Sequence, residues 1–221
     1  MKANMKKTLV SSAVAGALMV GTFGFSTAKA ELEFNVGVFS DYILYGQTAS
    51  VNSAVVQGGA DYAHESGFYV GTWWSTLGPA QGQEVDLYFG YEFAASDFDF
   101  DIGYVYYYYP SDNLPDFDFG DIVATVSYGP VYASVNYAIH ADDSDFEDSA
   151  FYAIGGETEV MPNFSLGAEL GYADIDVGDD WTFWSLGLTK ATDMGDFSLT
   201  YADTDDSDDD PLFVVGYSIS F

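Results

Sequence analysis

The chain of 221 residues has no cysteine and no arginine, and it holds only two histidines. Without cysteine there is no disulfide framework, no thiol nucleophile and no thiolate metal site. Basic residues are nearly absent: all five cations are lysines, and Lys2, Lys6, Lys7 and Lys29 precede the first acid. Residues 31–221 therefore set one lysine, Lys190, against 35 carboxylates, a formal charge of −34. No basic patch can be built from this, which excludes nucleic acid or an anionic lipid surface as an electrostatic partner. Beyond residue 30 there is also no apolar run approaching the roughly 20 residues of a membrane-spanning helix. What is present opposes disorder, the usual reading of extreme charge: 48% of residues are hydrophobic and 18% aromatic.

The N-terminus reads as an export signal. Residues 1–7 are basic, 9–25 are apolar and rich in Ala, Gly and Val, and Ala28-Lys29-Ala30 forms a small-x-small cleavage site before Glu31. The reading is a signal peptide over 1–30, cleaved after Ala30, and a single domain over 31–221. Gly16, Gly21 and Gly24 dilute the apolar core and argue against a retained anchor helix.

That domain alternates with period two. Val85, Leu87, Phe89, Tyr91 and Phe93 interleave with Glu84, Asp86, Tyr88, Gly90 and Glu92. Phe98, Phe100, Ile102, Tyr104, Tyr106 and Tyr108 interleave with Asp99, Asp101, Gly103, Val105 and Tyr107. Alternation of this kind puts each set on one face of a strand, whereas a helix would scatter both. The pattern predicts about twelve strands, at 32–45, 53–63, 68–77, 84–93, 98–109, 119–128, 131–139, 149–160, 164–173, 181–190, 196–203 and 211–221. Short connections (64–67, 94–97, 129–130, 161–163, 191–195) alternate with longer, mostly acidic ones (46–52, 78–83, 110–118, 140–148, 174–180, 204–210). An even-stranded, up-and-down antiparallel barrel of the Gram-negative outer membrane has this arrangement, with short periplasmic turns and longer extracellular loops.

A soluble β-sandwich alternates too, but two features favour the transmembrane barrel. Aromatics cluster near strand ends, as interfacial girdles require: Tyr42 and Tyr45, Trp73 and Trp74, residues 106–109, Trp181 and Trp184. The last strand also ends the chain at Phe221, with Ile219 and Tyr217 on the same face. A terminal Phe in that setting resembles the signal by which the barrel-assembly machinery recognises outer-membrane proteins.

Several stretches carry a more specific likeness. They are Phe39-Ser40-Asp41-Tyr42-Ile43-Leu44-Tyr45-Gly46, the run from Gln57-Gly58-Gly59-Ala60-Asp61-Tyr62 to Gly71-Thr72-Trp73, Glu84-Val85-Asp86-Leu87-Tyr88-Phe89-Gly90-Tyr91, and Tyr107-Tyr108-Tyr109-Pro110. Together they resemble the Gcw family of proteobacterial proteins, also called the TorF-like porins. The resemblance spans essentially the whole mature chain and implies an outer-membrane channel, within a family of unsettled function. The first of these stretches resembles a first-strand motif in which the family commonly has Arg directly before Gly. Tyr45 stands there in this chain, so no role of that Arg carries over.

Catalysis is poorly supported, because His64 falls in a predicted periplasmic turn and His140 at the start of an external loop. The chain reads as a non-enzyme that calls for no cofactor. If the apolar set faces lipid, the opposite set lines a lumen through Asp61, Glu84, Asp86, Tyr88, Glu92, Asp99, Asp101, Tyr107 and Glu169. These acids lack Arg or Lys partners, so they must stay hydrated, bind mobile cations or take up protons. Lumenal glycines such as Gly71, Gly90, Gly103 and Gly171 are expected to leave room, and Tyr69, Trp73, Tyr88, Tyr107, Tyr132 and Phe183 to narrow it. The favoured reading is a passive channel for small polar solutes with a preference for cations. The alternative is a non-conducting structural or surface-interaction barrel whose acidic loops bind divalent ions, lipopolysaccharide or a partner. Asp142, Asp143, Asp145, Glu147 and Asp148 are the weak metal candidates, oxygen-rich but without an EF-hand pattern.

Overall fold

The computed structural model describes residues 30–110 and 117–221. The expected signal segment, apart from Ala30, lies outside the described residues, as do the loop acids Asp112 and Asp116. The first strand, β1 (Glu31–Phe39), is followed by two short ones, β2 (Ile43–Leu44) and β3 (Gln47–Thr48). Next come β4 (Val55–Ala63), β5 (Phe68–Thr76), β6 (Gln83–Ala95) and β7 (Phe98–Tyr108). Beyond these lie β8 (Phe119–Tyr128), β9 (Val131–Ala141) and β10 (Ala150–Met161). The chain ends with β11 (Phe164–Asp174), β12 (Trp181–Thr192), β13 (Gly195–Thr204) and β14 (Leu212–Ser220).

All but β2 and β3 form one closed antiparallel barrel of twelve strands. Closure is made by β1, which pairs with β4 on one side and β14 on the other. Closure leaves no unpaired edge strand among the described residues, so the backbone groups of the wall are satisfied from strand to strand. At the seam the backbones of Phe34 and Phe221 exchange hydrogen bonds of 3.0 and 2.9 Å, and their rings stack with centroids 6.0 Å apart. The terminal Phe thus fastens the last strand to the first.

The alternation resolves as expected. Leu87, Phe89, Ile102, Ile154, Leu170 and Leu186 are among many large apolar side chains left half exposed on the outer surface, while Asp86, Asp101, Asp121 and Thr200 are buried inside. Such an inverted distribution suits a lipid-facing wall. Trp74, Tyr106, Tyr108 and Trp184 stand outward near the long-loop rim. Trp73, Tyr107 and Trp181 fall on the inward-facing alternate, so they are not girdle residues. The register shift between Gly120 and Asp121 pairs Gly120 with His140 and Asp121 with Ala138. His140 then faces Tyr104, whose hydroxyl lies 3.0 Å from Nε2.

The expected first strand is the one that differs. It ends at Phe39, six residues before Tyr45, and the segment 40–54 folds into the barrel through Asp41, Tyr42, Ile43, Gly46 and Ser50, while Ser40, Val51, Asn52 and Ala54 stay exposed. The reason is a two-residue hairpin. Tyr45 (φ 49°) and Gly46 (φ 82°) both adopt the left-handed conformation between β2 and β3, the requirement of a type I′ turn. Asp41 Oδ1 holds its base, accepting from the Tyr42 amide at 2.8 Å, the Thr48 hydroxyl at 2.7 Å and the Ser50 hydroxyl at 2.6 Å. Ile43 and Tyr42 then pack with Phe39, Val55, Leu77, Ala202, Leu212 and Val214 into the largest apolar cluster of the interior.

Candidate functional site

The barrel interior divides by height. In the long-loop half, under the hairpin, the inward side chains Gln57, Ser75, Glu84, Asp86, Tyr107, Asp121, Asn136, Phe151 and Phe183 are all buried. In the short-turn half the inward positions Glu33, Asn35, Asp61, Glu92, Ser134, Glu157, Ser198 and Ser218 are only half-buried. Burial is thus nearly complete in the long-loop half and only partial in the short-turn half, where Asp101, Ser165 and Thr189 are nonetheless buried.

The hairpin spans the filled half from wall to wall. Tyr42 donates from its hydroxyl to Glu84 on β6 at 2.8 Å and packs against Trp73 on β5, ring centroids 5.4 Å apart. At the hairpin tip the Tyr45 ring stacks on Phe151 of β10 at 3.8 Å and leans on Phe183 of β12 at 5.6 Å. Its hydroxyl accepts from Asn136 of β9 at 3.1 Å, and its carbonyl accepts from Trp181 Nε1 at 2.9 Å. Gly46 is seated so closely that a Cβ would lie 2.7 Å from Thr204, 2.8 Å from Phe183 and 2.9 Å from the Asp203 carbonyl. Gln47 adds a bond of 2.7 Å to Asp209 in the last long loop.

Below the hairpin the lumenal acids follow a repeated arrangement that the sequence did not reveal. Asp61 on β4, Gly71 on β5 and Tyr88 on β6 are direct cross-strand partners in one row, and the Tyr88 hydroxyl donates to Asp61 across the glycine. Tyr132 on β9, Gly155 on β10 and Glu169 on β11 form a second such row, closed by the Tyr132 hydroxyl. Tyr69 on β5 lies over Gly90 and Gly103 and donates to Asp101 on β7 at 2.9 Å. In each case a tyrosine lies flat on the glycine of the intervening strand and supplies the O–H that Arg or Lys would otherwise supply as N–H. A Cβ on Gly71 would fall 2.4 Å from the Tyr88 ring, and one on Gly155 2.6 Å from the Tyr132 hydroxyl. Gly71, Gly90, Gly103 and Gly171 therefore do not leave free space. They are beds for Tyr88, Tyr69 and Phe183, a correction to the expectation of room. Gly187, whose nearest neighbour would be Thr200 Oγ1 at 3.7 Å, keeps ordinary clearance.

Each acid singled out from the sequence can now be placed. Glu84, Asp86 and Asp101 are buried inward, and Asp61, Glu92 and Glu169 are half-buried inward. Asp99 is exposed near the short-turn end of β7. Tyr107 is buried inward and stacks on Phe119 at 4.2 Å. Asp121 belongs with this group, and so do Tyr42 and Tyr45, although both tyrosines fit the expected girdle. Phe221, Ile219 and Tyr217 all face outward on β14 or beyond its end. Among the described residues no inward position carries Lys, Arg or His. Lys190 points outward over the Phe164 ring at 5.5 Å.

The outer acids serve loop geometry. Asp143 accepts from the Asp145 amide at 3.0 Å, and Asp148 accepts from the Tyr137 hydroxyl. Among the described residues no three His, Cys, Asp or Glu side chains converge on a metal position, the 142–148 run included. Asp180 accepts from the Ile175 amide at 3.0 Å and from Tyr172 at 2.8 Å, which holds its carboxyl below the usual Asp range.

A closed twelve-stranded antiparallel barrel with an apolar exterior and a polar interior has the fold of outer-membrane porins. The chain is similar to the solved KdgM porin, with a TM-score of 0.57 at 7% identity, covering 86% of this chain and 97% of that one. KdgM porin in complex with disordered oligogalacturonate is similar too, with a TM-score of 0.54, 7% identity and the same coverage. No curated protein matches the chain. Residues 25–217 match the family described as "Bacterial protein of unknown function (Gcw_chp)", and the chain belongs to that family.

Proposed function

We propose that this protein is an outer-membrane channel through which small polar solutes diffuse passively, with cations and neutral molecules favoured over anions. The observation that carries the reading is the one-signed interior: every charged side chain that faces inward, among the described residues, is a carboxylate. Field lines in a narrow low-dielectric lumen are focused, so such a lining concentrates cations and excludes anions. A solute such as the oligogalacturonate bound by KdgM porin is itself polyanionic, and this lining disfavours it. The outward apolar wall and the terminal Phe221 support insertion by the barrel-assembly machinery, with the acidic loops beside lipopolysaccharide. Export would be directed by residues 1–30 and followed by cleavage after Ala30.

A second reading is favoured by one specific observation, the hairpin of residues 40–54 that fills the long-loop half. On that reading the barrel does not conduct and acts through its outer surface. Planar-bilayer recording of the refolded protein separates the two. The expected result is a small ohmic conductance whose reversal potential in a salt gradient reports cation preference. A folded barrel with no conductance, or with anion preference, would overturn the channel reading.

A further inference from the structure

Four buried side-chain oxygens among the described residues have no hydrogen-bond partner: Asp86 Oδ1, Tyr107 Oη, Asp121 Oδ1 and Thr125 Oγ1. All four lie on the adjacent strands β6, β7 and β8. Three of them belong together. Asp86 pairs directly with Tyr107 across the ladder, and Asp121 pairs with Val105, the inward neighbour of Tyr107 on β7. Asp86, Tyr107 and Asp121 are 3%, 3% and 1% exposed. Tyr107 lies within electrostatic reach of both carboxylates, and the two carboxylates lie within reach of each other. Thr125 sits four residues further along β8, away from this group.

The neighbouring acid provides the contrast. Glu84 is as deeply buried, but it accepts from the Tyr42 hydroxyl at 2.8 Å and also from Tyr109. Asp61, Asp101 and Glu169 accept from Tyr88, Tyr69 and Tyr132. Asp86 Oδ1 and Asp121 Oδ1 each stay without a well-aligned bond, although Tyr107 stands beside Asp121 as a donor, and no basic side chain among the described residues shares their layer. An uncompensated buried carboxylate is far more costly than an unpaired hydroxyl. The Tyr107 hydroxyl, close to Asp121 but without a well-aligned bond, presents a further oxygen beside them.

We propose that Asp86, Tyr107 and Asp121 bind one hard divalent cation of the calcium or magnesium class beneath the hairpin. The donors are all oxygen, which disfavours soft metals, and two carboxylates match a double positive charge. With only two acidic ligands the set falls short of a cage of three or more. Water completes the coordination, as hard cations commonly require. This site is distinct from the 142–148 loop and does not depend on whether the barrel conducts.

The test is equilibrium dialysis of the refolded, full barrel in detergent against radiolabelled calcium, after chelation, with salt high enough to screen the loop acids. Folding is followed separately by heat-modifiable migration. The expected result is one retained calcium per barrel, lost in the Asp86→Asn/Asp121→Asn double variant and kept in Asp142→Asn/Asp143→Asn. Tyr107→Phe, which removes the oxygen and keeps the ring, should weaken binding roughly tenfold, and it serves if the double variant fails to fold. A folded wild-type barrel that retains no calcium would mean that water alone solvates these oxygens, and it would overturn the proposal. So would a stoichiometry unchanged in the Asp86/Asp121 variant. Neither result bears on the conductance measurement.

Discussion

At the scale of single residues, the interior shows how a barrel can bury carboxylates without arginine or lysine. The tyrosine hydroxyl is a neutral donor, so each tie supplies a hydrogen bond to the carboxylate without a counter-charge. Gly71 illustrates the geometry on which this depends. Gly71→Ala would put a methyl group 2.4 Å from the Tyr88 ring. Tyr88 must then lift away from Asp61, at about 1–3 kcal/mol for overpacking and the lost bond. Urea titration of the refolded barrel should show this as a lowered midpoint at an unchanged slope, and Tyr88→Phe should recover less than the full loss. Such ties were not legible in the sequence. Period two puts Tyr88 and Asp61 on the inner face, but the cross-strand row that joins them through Gly71 exists only once register is set. Nothing local to Gly71 distinguishes a bed for a ring from an empty position.

The element that departs most from expectation is the hairpin of residues 40–54. Eleven of the twelve strands are readable from alternation within a few residues, because apolar and polar side chains there answer to lipid outside and lumen inside. The misread strand fails for a physical reason: Tyr42 and Leu44 continue the beat of Phe34, Val36 and Val38, while the Tyr45-Gly46 pair that ends it is a hairpin signal of only moderate strength. Burial of Tyr42, Tyr45 and Ile43 then replaces an exposed loop with an occluding one. Since Tyr45 touches β9, β10 and β12 at once, Tyr45→Ala should release the hairpin tip while leaving the wall intact. Its expected effect is a conductance several-fold above wild type in planar bilayers, with heat-modifiability preserved. Gly46→Ala should act in the same direction, because both its positive φ and its three contacts under 3.0 Å resist a side chain. Equal conductance in wild type and both variants would remove the hairpin from the permeation path.

Over the whole molecule the charge separates into an outer population in the long loops and an inner one on the wall. Only the inner one can confer selectivity, since loop charges are screened beyond about 8–10 Å at physiological ionic strength. Neutralising Asp61, Glu92 and Asp101 together should move the reversal potential toward zero, and cation preference in the unmodified barrel should fall as salt is raised. An unchanged potential would place the selective step elsewhere. These three residues face inward in the short-turn half and are separate from Asp86 and Asp121. The tyrosine rows also bear on how the barrel selects its own pairing. Inside–outside alternation forbids a slip of one residue between neighbouring strands but tolerates a slip of two, which returns every side chain to its proper face. A two-residue slip of β5 against β4 or β6 would remove Gly71 from between Asp61 and Tyr88, and one involving β10 would do the same to Gly155. Each tie reads the alignment of three consecutive strands at once, and so penalises the error to which greasy-out, polar-in patterning is blind.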